Sequence, residues 1–304
     1  IKPTAAPQEE MKPAQPAVTA EKDAKSQTPA KEGQQAKAAE SEKKIGINLA
    51  SRILTLYEGD TKVKMYHVGV GKTSTPTPTG YYAVQYKEVN PTWVDPDDTS
   101  VQIGPGPSNP IGYRWIGFYG NYGIHGTNHP ESIGGYVSNG CVRMNEADVE
   151  DLYQYVSVGT PVTVYYDRLV IDVDPDHTVS YYVYPDGYGW QSLSVAQVKK
   201  ALAGYGVEDF AEFQDISDKI NASDGNVTYV AKAYDLVVNG NKLAKRALGK
   251  NGQIYLPSVA VATALKLDLQ WNSQQGILTS PYGIAPGYVK SDVVYMNAVD
   301  AYSL

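Results

Sequence analysis

The chain has 304 residues and a formal net charge of −7, with a pI near 5.2. This length suits about two domains of typical size. Nucleic-acid-binding proteins usually concentrate positive charge on one face, so the acidic balance predicts no nucleic-acid partner. No run of the sequence approaches the roughly 18 apolar residues that a membrane-spanning helix needs. We therefore expect any export signal or membrane anchor to lie upstream of Ile1.

Residues 1–43 have the composition of a segment that does not fold. They contain no aromatic residue and are rich in Ala, Lys, Glu, Gln and Pro, so they cannot bury a core. We predict a disordered linker here. It is either a tether that gives the rest of the chain reach from an anchor or an unstructured tail, and the composition favours neither.

Alternating apolar residues begin at Ile45 and predict short antiparallel strands. Strand-like runs follow between Gly and Pro clusters, as in β-sandwiches, at residues 53–57, 63–70, 81–86, 114–118 and 162–166. One helix interrupts them, with Asn145 as a candidate N-cap and an end near Gly159. We therefore predict a mainly β domain, a β-sandwich with one helix, over residues 44–166.

The chain from Asp167 onward mixes helix and strand patterns and predicts an α+β accessory region. A helix should follow Ser194, because Gln197 completes a capping-box pattern with it. Further expected elements are a hairpin at residues 185–187, strands at 227–238, a turn at 239–241, a strand at 253–257 and a helix at 259–265. We divide this part into a connecting region, residues 167–226, and an accessory domain, residues 227–304.

Residues 124–144, with the sequence IHGTNHPESIGGYVSNGCVRM, contain the only cysteine and two of the four histidines. A thiol with an ordinary pKa near 8.5 is mostly protonated at neutral pH, so a nucleophilic cysteine needs a base or nearby positive charge. His125 is the natural base for Cys141, because the glycines between them allow the chain to fold back. From the residues alone, Cys141 is either a nucleophile or a packed thiol.

This stretch resembles the signature of the L,D-transpeptidase catalytic domain family. The matching segments are residues 125–127 (HGT) and 138–144 (SNGCVRM). Supporting pieces occur in the family's order at residues 48–52, 77–81, 91 with 93, and 109–112. The resemblance covers residues 44–166. It implies an exported enzyme of the bacterial cell envelope that joins peptidoglycan stem peptides through a cysteine nucleophile and needs no cofactor or metal.

The resemblance implies a catalytic role for three residues. Cys141 would be the nucleophile, His125 its base, and the carbonyl of Gly126 would orient the imidazole, as the carboxylate does in a Ser-His-Asp triad. The backbone amides of Gly140 and Cys141 are candidates for the oxyanion hole.

Three further residues are predicted to contact substrate. Arg143 would pair with a stem-peptide carboxylate, the alternative being a surface arginine. Ser138 is better explained as a turn hydrogen-bonder than as a second nucleophile. Asn139 stands where many family members have a second histidine, and because asparagine takes up no proton at neutral pH, His125 is left as the sole base. His129 is interpreted as a loop residue.

Residues 227–304 resemble the domain named for the N-terminal part of copper amine oxidase. The resemblance is carried by residues 237–240, 255–257 and 265–272. This segment has no His or Cys and only Met296 as a soft ligand, so a copper site has nothing to be built from. We expect an attachment or interaction module. If it only localises the enzyme, residues 44–166 should keep the chemistry alone.

The implied reaction cleaves the bond between the third and fourth residues of a tetrapeptide stem and transfers the acyl group to an amine of a neighbouring stem. Carbapenem β-lactams, which resemble the acyl donor, are expected to inhibit covalently. Two alternatives remain open. One is an L,D-carboxypeptidase, a hydrolase in which water is the acceptor, and the other is a cell-wall-binding protein without catalysis.

Overall fold

The computed structural model describes residues 42–304. The predicted linker of residues 1–43 therefore lies outside the described residues except for its last two positions, and Lys43 already belongs to the first strand. Within residues 42–304, no helix combines the length and apolar character that crossing a membrane requires.

The first half of the described chain consists mainly of strands. They are β1 (Lys43–Asn48), β2 (Ile53–Glu58), β3 (Thr61–His67), β4 (Val70–Gly71), β5 (Gly80–Ala83), β6 (Tyr86–Val89), β7 (Trp93–Val94), β8 (Gln102–Ile103), β9 (Arg114–Tyr119), β10 (Tyr122–His125), β11 (Tyr136–Ser138), β12 (Val142–Arg143) and β13 (Pro161–Tyr165). A helix, α1 (Glu146–Tyr155), follows the cysteine motif.

Two sheets share one core in this half. A five-stranded sheet has the order β3-β2-β1-β13-β5 and a four-stranded sheet the order β12-β10-β9-β6. Ile45 and Leu54 from the first sheet, Ile116 and Ile124 from the second, and Leu152 from α1 are fully buried in a single apolar cluster. The predicted mainly β domain with one helix after the cysteine motif is thus confirmed.

The structure modifies two local expectations, one for the strand run at residues 81–86 and one for the two ends of α1. Residues 81–86, predicted as one run, form β5 and β6, because the chain crosses from the first sheet, where β5 pairs with β13, to the second, where β6 pairs with β9. Asn145 takes the predicted N-cap position of α1, but its side chain contacts Asp148 and not the backbone. The helix ends at Tyr155, before Gly159.

The second half combines strands and helices. The strands are β14 (Leu169–Val173), β15 (Thr178–Val183), β16 (Thr228–Tyr234), β17 (Val237–Val238), β18 (Asn241–Lys242), β19 (Ala247–Lys250), β20 (Gln253–Pro257), β21 (Gln270–Asn272), β22 (Ile277–Thr279), β23 (Ile284–Pro286), β24 (Tyr288–Lys290) and β25 (Val293–Asn297). The helices are α2 (Val195–Ala203), α3 (Phe213–Ala222) and α4 (Ser258–Leu265).

A seven-stranded sheet, with the order β14-β15-β16-β19-β20-β25-β24, organises this half. β15 pairs with β16, so the boundary predicted between residues 226 and 227 falls inside one sheet. The capping box at Ser194 and Gln197 is confirmed. The turn at Asn239 and Gly240 is also confirmed, since both residues have positive φ and join β17 to β18.

The hairpin predicted at residues 185–187 is wrong. The chain leaves β15 there and enters an irregular loop that leads to α2. The reason is local, because both oxygens of the Asp186 carboxylate accept hydrogen bonds from backbone amides further along the loop, those of Trp190 and Gln191. These bonds fold the segment into a loop and leave no second strand to pair with β15.

Candidate active site

The register of β10 against β12 brings the two halves of the cysteine motif together. The strands are parallel, with Ile124 beside Val142 and His125 beside Arg143. Continuing this register by one residue places Cys141 beside Gly123. Alternate residues of a strand point to the same face, so His125, Arg143 and Cys141 share one face of the sheet. The structure thus brings together the predicted nucleophile, base and substrate-binding arginine.

His125 is held in one orientation from two sides. Its Nδ1 lies 2.5 Å from the carbonyl oxygen of Gly126. Because a carbonyl only accepts, Nδ1 carries the proton and Nε2 is left as the basic nitrogen. The indole of Trp115 stacks on the imidazole, with 5.5 Å between ring centroids and 5° between planes. The Gly126 carbonyl therefore stands where the orienting group was predicted.

Burial sets the charge of His125. The side chain is 4% exposed, and burial lowers its pKa to about 4, with the positive charge of Arg143 acting in the same direction. The imidazole is therefore neutral at pH 7 and able to accept a proton.

The Cys141 thiol is also neutral at rest. Burial raises its pKa, against smaller opposing effects of a backbone hydrogen bond from Gly123 and the charge of Arg143. Its Sγ lies 3.6 Å from the carbonyl oxygen of Asn121. A neutral thiol on the same sheet face as a neutral imidazole is suited to general-base catalysis, in which the proton moves as the sulfur attacks.

Ser138 shapes the turn that presents Cys141. Its hydroxyl accepts from the amide of Gly140 at 3.0 Å and donates to the carbonyl of Cys141 at 2.6 Å. Gly140 has φ of +118°, and a β-carbon there would lie 2.3 Å from the ring of Tyr122. Ser138 is placed as a turn hydrogen-bonder, and the Gly140 amide, one of the two predicted oxyanion donors, already has an acceptor. The Cys141 amide is the other predicted donor.

Arg143 is a half-buried charge without a partner. Within residues 42–304 its guanidinium makes no ion pair or hydrogen bond, and its Nε is buried and unsatisfied. Asn139 is exposed beside the same turn. His129 is different, since its side chain is 63% exposed and lies 2.9 Å from Glu131. The arrangement supports Arg143 as an anion-binding group and His129 as a loop residue.

Sequence reasoning missed Glu146, the first residue of α1. Its carboxylate accepts a hydrogen bond from the Tyr113 amide at 3.0 Å. It also lies against the backbone of Gly112 and Gly126, where β-carbons would be 1.8 and 1.4 Å from Oε1. Burial raises its pKa. The sequence signal that could have revealed it was an acidic residue two positions after the cysteine motif, together with the motif glycines Gly112 and Gly126.

The supporting motif residues shape the surrounding loops. Thr77 is fully buried, and its hydroxyl accepts from the Gly71 amide at 3.0 Å. Asn109 is 1% exposed and donates to three backbone carbonyls. Arg52 donates to the hydroxyl of Tyr136 at 3.0 Å. Their roles are structural. Within residues 42–304, no three His, Cys, Asp or Glu side chains cluster in a way that could hold a metal ion.

Known proteins resemble the part of the chain that carries this site. Residues 42–164 match the model of the YkuD family, described as an L,D-transpeptidase catalytic domain. The putative L,D-transpeptidase YqjB of Bacillus subtilis is 44% identical over 112 residues, which are 34% of this chain and 61% of the relative. The probable L,D-transpeptidase ErfK/SrfK of Escherichia coli is 32% identical over 161 residues, 49% of each protein.

The chain therefore spans about half to three fifths of the length of these curated relatives. The predicted L,D-transpeptidase catalytic domain is confirmed for residues 42–164. These matches do not address the resemblance of residues 227–304 to a copper amine oxidase domain, which stays a prediction.

Two solved structures each resemble 40% of the chain. An L,D-transpeptidase from Mycobacterium smegmatis has a TM-score of 0.35 at 20% identity, over 40% of this chain and 58% of that one. L,D-transpeptidase 3 from Mycobacterium tuberculosis, in complex with a faropenem-derived adduct, has a TM-score of 0.35 at 18% identity, over 40% and 60%. Likeness at this level carries no argument about the chemistry.

Proposed function

We propose that this protein is an exported peptidoglycan L,D-transpeptidase that cross-links stem peptides of the cell wall. The observation that carries the proposal is the buried, neutral His125, held by the Gly126 carbonyl on the sheet face that it shares with Cys141. A histidine fixed in this way is the base that a cysteine nucleophile requires.

The acylation step follows from the tautomer. Nε2 of His125 takes the proton of Cys141 as Sγ attacks the carbonyl carbon of the third stem residue. The C–N bond to the fourth residue then breaks, and the imidazolium returns the proton to the leaving amine. The products are a thioester on Cys141 and a released D-amino acid. The Gly126 carbonyl stabilises the imidazolium between these two transfers.

The second step consumes the thioester. An amine of a neighbouring stem attacks the thioester carbon and loses a proton to His125, and the thiol is restored as the C–S bond breaks. The carbapenem β-lactams undergo the first step only. Opening of their ring leaves the acyl group and the former leaving nitrogen in one molecule, which stays covalently attached to Cys141.

Arg143 supplies positive charge beside the reacting atoms. Its guanidinium lies close enough to lower the pKa values of both His125 and Cys141. A free guanidinium pairs well with a carboxylate, and the donor stem ends in one. We assign to Arg143 the binding of that carboxylate, with exposed Asn139 at the rim of the same turn.

Two alternative functions differ from this proposal. An L,D-carboxypeptidase uses another acyl acceptor, and a wall-binding protein catalyses no reaction. In an L,D-carboxypeptidase, water would attack the thioester, and product analysis on defined muropeptides separates the two reactions. A wall-binding protein without catalysis would need neither Cys141 nor an unpaired Arg143, so their joint retention at one site favours catalysis. For residues 227–304 we propose an attachment module related to the copper amine oxidase N-terminal domain.

The test is covalent labelling by a carbapenem, read by intact-protein mass. The wild-type protein should gain the mass of one carbapenem at Cys141, and Cys141→Ser should gain none, because a hydroxyl is a much weaker nucleophile beside the same imidazole. Circular dichroism checks that the variant is folded. Labelling at another residue, or cross-linking of muropeptides by the folded Cys141→Ser protein, would overturn the proposal.

A further inference from the structure

A loop from the second half of the chain packs against the catalytic domain. We call residues 184–191 the docking loop. Arg168, which is 8% exposed, holds both of its ends, donating to the carbonyl of Tyr184 at 2.9 Å and to that of Gln191 at 2.7 Å. Asp186 closes it internally by accepting from two loop amides. The loop is therefore held in its conformation by hydrogen bonds to Arg168 and within the loop.

The docking loop reaches the catalytic domain through Tyr188 and Gly187. The Tyr188 hydroxyl donates to the carbonyl of Gly71 on β4 at 2.5 Å, and its ring packs against the catalytic core. Gly187 lies against the ring of Tyr136 on β11, where a β-carbon would be 2.2 Å from the ring atoms. Tyr136 and Tyr188 also contact each other, with 4.8 Å between centroids.

Of the two strands touched by this loop, β11 leads directly into the cysteine turn and β4 pairs with β11. β4 and β11 pair in parallel, with Gly71 beside Ser138. The backbone carbonyl of Ser138 accepts from the Lys72 amide at 3.0 Å and from the Thr75 hydroxyl at 3.2 Å. The Ser138 side chain in turn bonds the carbonyl of Cys141. A continuous chain of contacts thus leads from Tyr188 through Gly71 and Ser138 to the nucleophile.

We propose that the docking loop is part of the catalytic unit. Tyr188 and Gly187 are positioning residues that fix the Cys141 turn through their contacts with β4 and β11. The inference rests on the proposed function, since positioning matters only if Cys141 reacts. It assigns the second half of the chain a role beyond localisation, and it replaces the expectation that residues 44–166 suffice for the chemistry.

The test compares two loop variants with two matched controls in the full chain. Tyr188→Phe keeps the ring and removes the hydroxyl that donates to Gly71, whereas Gly187→Ala adds one methyl group against Tyr136. Tyr282→Phe removes a hydroxyl from a side chain that is 82% exposed. Gly204→Ala adds a methyl group at a helix end whose φ of −60° suits alanine.

Acylation by a carbapenem is measured well below each melting temperature, so that loss of folded protein does not contribute. Both loop variants should acylate more slowly by roughly ten- to a hundredfold, the cost of a small misplacement of a reacting group. Both controls should stay within about twofold of the wild type. Wild-type rates in Tyr188→Phe and Gly187→Ala, even with lower melting temperatures, would overturn the proposal by showing that the loop only stabilises the fold.

Alkylation of Cys141 by iodoacetamide separates this proposal from the proposed function. If the folded wild type reacts with iodoacetamide but no carbapenem labels it, the proposed function fails. The positioning proposal is then decided by the alkylation rate, which the two loop variants should change and the two controls should not. Equal alkylation rates in all five proteins would overturn it.

Discussion

The carboxylate of Glu146 occupies the space in which a side chain on Gly126 would stand. A β-carbon on Gly126 would lie 1.4 Å from Glu146 Oε1. The carbonyl of the same glycine fixes Nδ1 of His125. Glu146 is therefore linked to the base through one intervening residue, and within residues 42–304 its carboxylate makes no hydrogen bond with His125 or Cys141.

This relationship predicts strong coupling between the two positions. Gly126→Ala should lower the free energy of unfolding by about 1–3 kcal/mol, the usual cost of overpacking. Glu146→Ala should also be destabilising, because it leaves the amide of Tyr113 without its acceptor. The double variant should be less destabilised than the sum, because alanine at 126 fits once the carboxylate is gone.

Urea unfolding of the wild type, both single variants and the double variant measures this coupling. Additivity to within about 0.5 kcal/mol would contradict it, since that is the behaviour of independent sites. The carbapenem acylation rate of Gly126→Ala should fall as well, because a displaced carbonyl no longer holds the imidazole.

The assignment of the base predicts unequal effects of two histidine substitutions. His125→Ala should slow acylation by roughly two to four powers of ten, the usual size of a general-base contribution. His129→Ala should change little, because that side chain is largely exposed and bonded to Glu131. Single-turnover acylation of both variants is the measurement. A large loss in His129→Ala with a near-normal rate in His125→Ala would reverse the assignment.

The low pKa of His125 predicts the acid limb of the pH profile. The imidazole loses its basic nitrogen only as pH falls toward its pKa of about 4. Acylation should therefore persist below pH about 6.5, where an ordinary histidine would already be protonated. The pH at which the acylation rate is half-maximal is a property of the coupled Cys–His pair and not of one residue. Rates measured from pH 4 to pH 8 that fall with a midpoint near 6.5 would contradict the buried, neutral base.

The same shift predicts how stability depends on pH. The folded-state pKa of His125 is depressed to about 4, so the unfolded chain binds the proton more readily at this position. The contribution of His125 to the free energy of unfolding is present above pH about 6.5 and is lost as pH falls toward 4. The whole loss amounts to about 3 kcal/mol. Urea unfolding of the wild type and of His125→Gln over this range should show a flatter dependence in the variant. Parallel curves would refute the depressed pKa.

Arg143 is predicted to act on substrates that end in a carboxylate. Arg143→Gln should raise KM for a stem peptide with a free terminal carboxylate and have less effect on the terminal amide of the same peptide. The reason is that the guanidinium has no partner within residues 42–304 and is available to the substrate. Steady-state kinetics on the peptide pair tests this. An equal rise in KM for both peptides would remove the assigned contact.

Local features of the sequence predicted the chemistry and the class of fold. Apolar alternation from Ile45 indicated strands, and the capping residues Ser194 and Gln197 indicated a helix start, because both depend on neighbouring residues of one segment. The segments around His125 and Cys141 carried the candidate nucleophile and base for the same reason. Only a few residue types can act as a nucleophile or as a base, and the residues of one motif lie close together in the sequence.

Long-range contacts decided the rest. The sequence shows Glu146 and Gly126 twenty residues apart, but only the packing of α1 against the loop after β10 brings the carboxylate under that glycine. Tyr188 likewise reaches Gly71 only because Arg168 folds the docking loop. Such contacts depend on the relative placement of elements distant along the chain, which local periodicity does not encode. The sequence by itself therefore determined the candidate nucleophile and base, and the tertiary structure decided which distant residues lie against them.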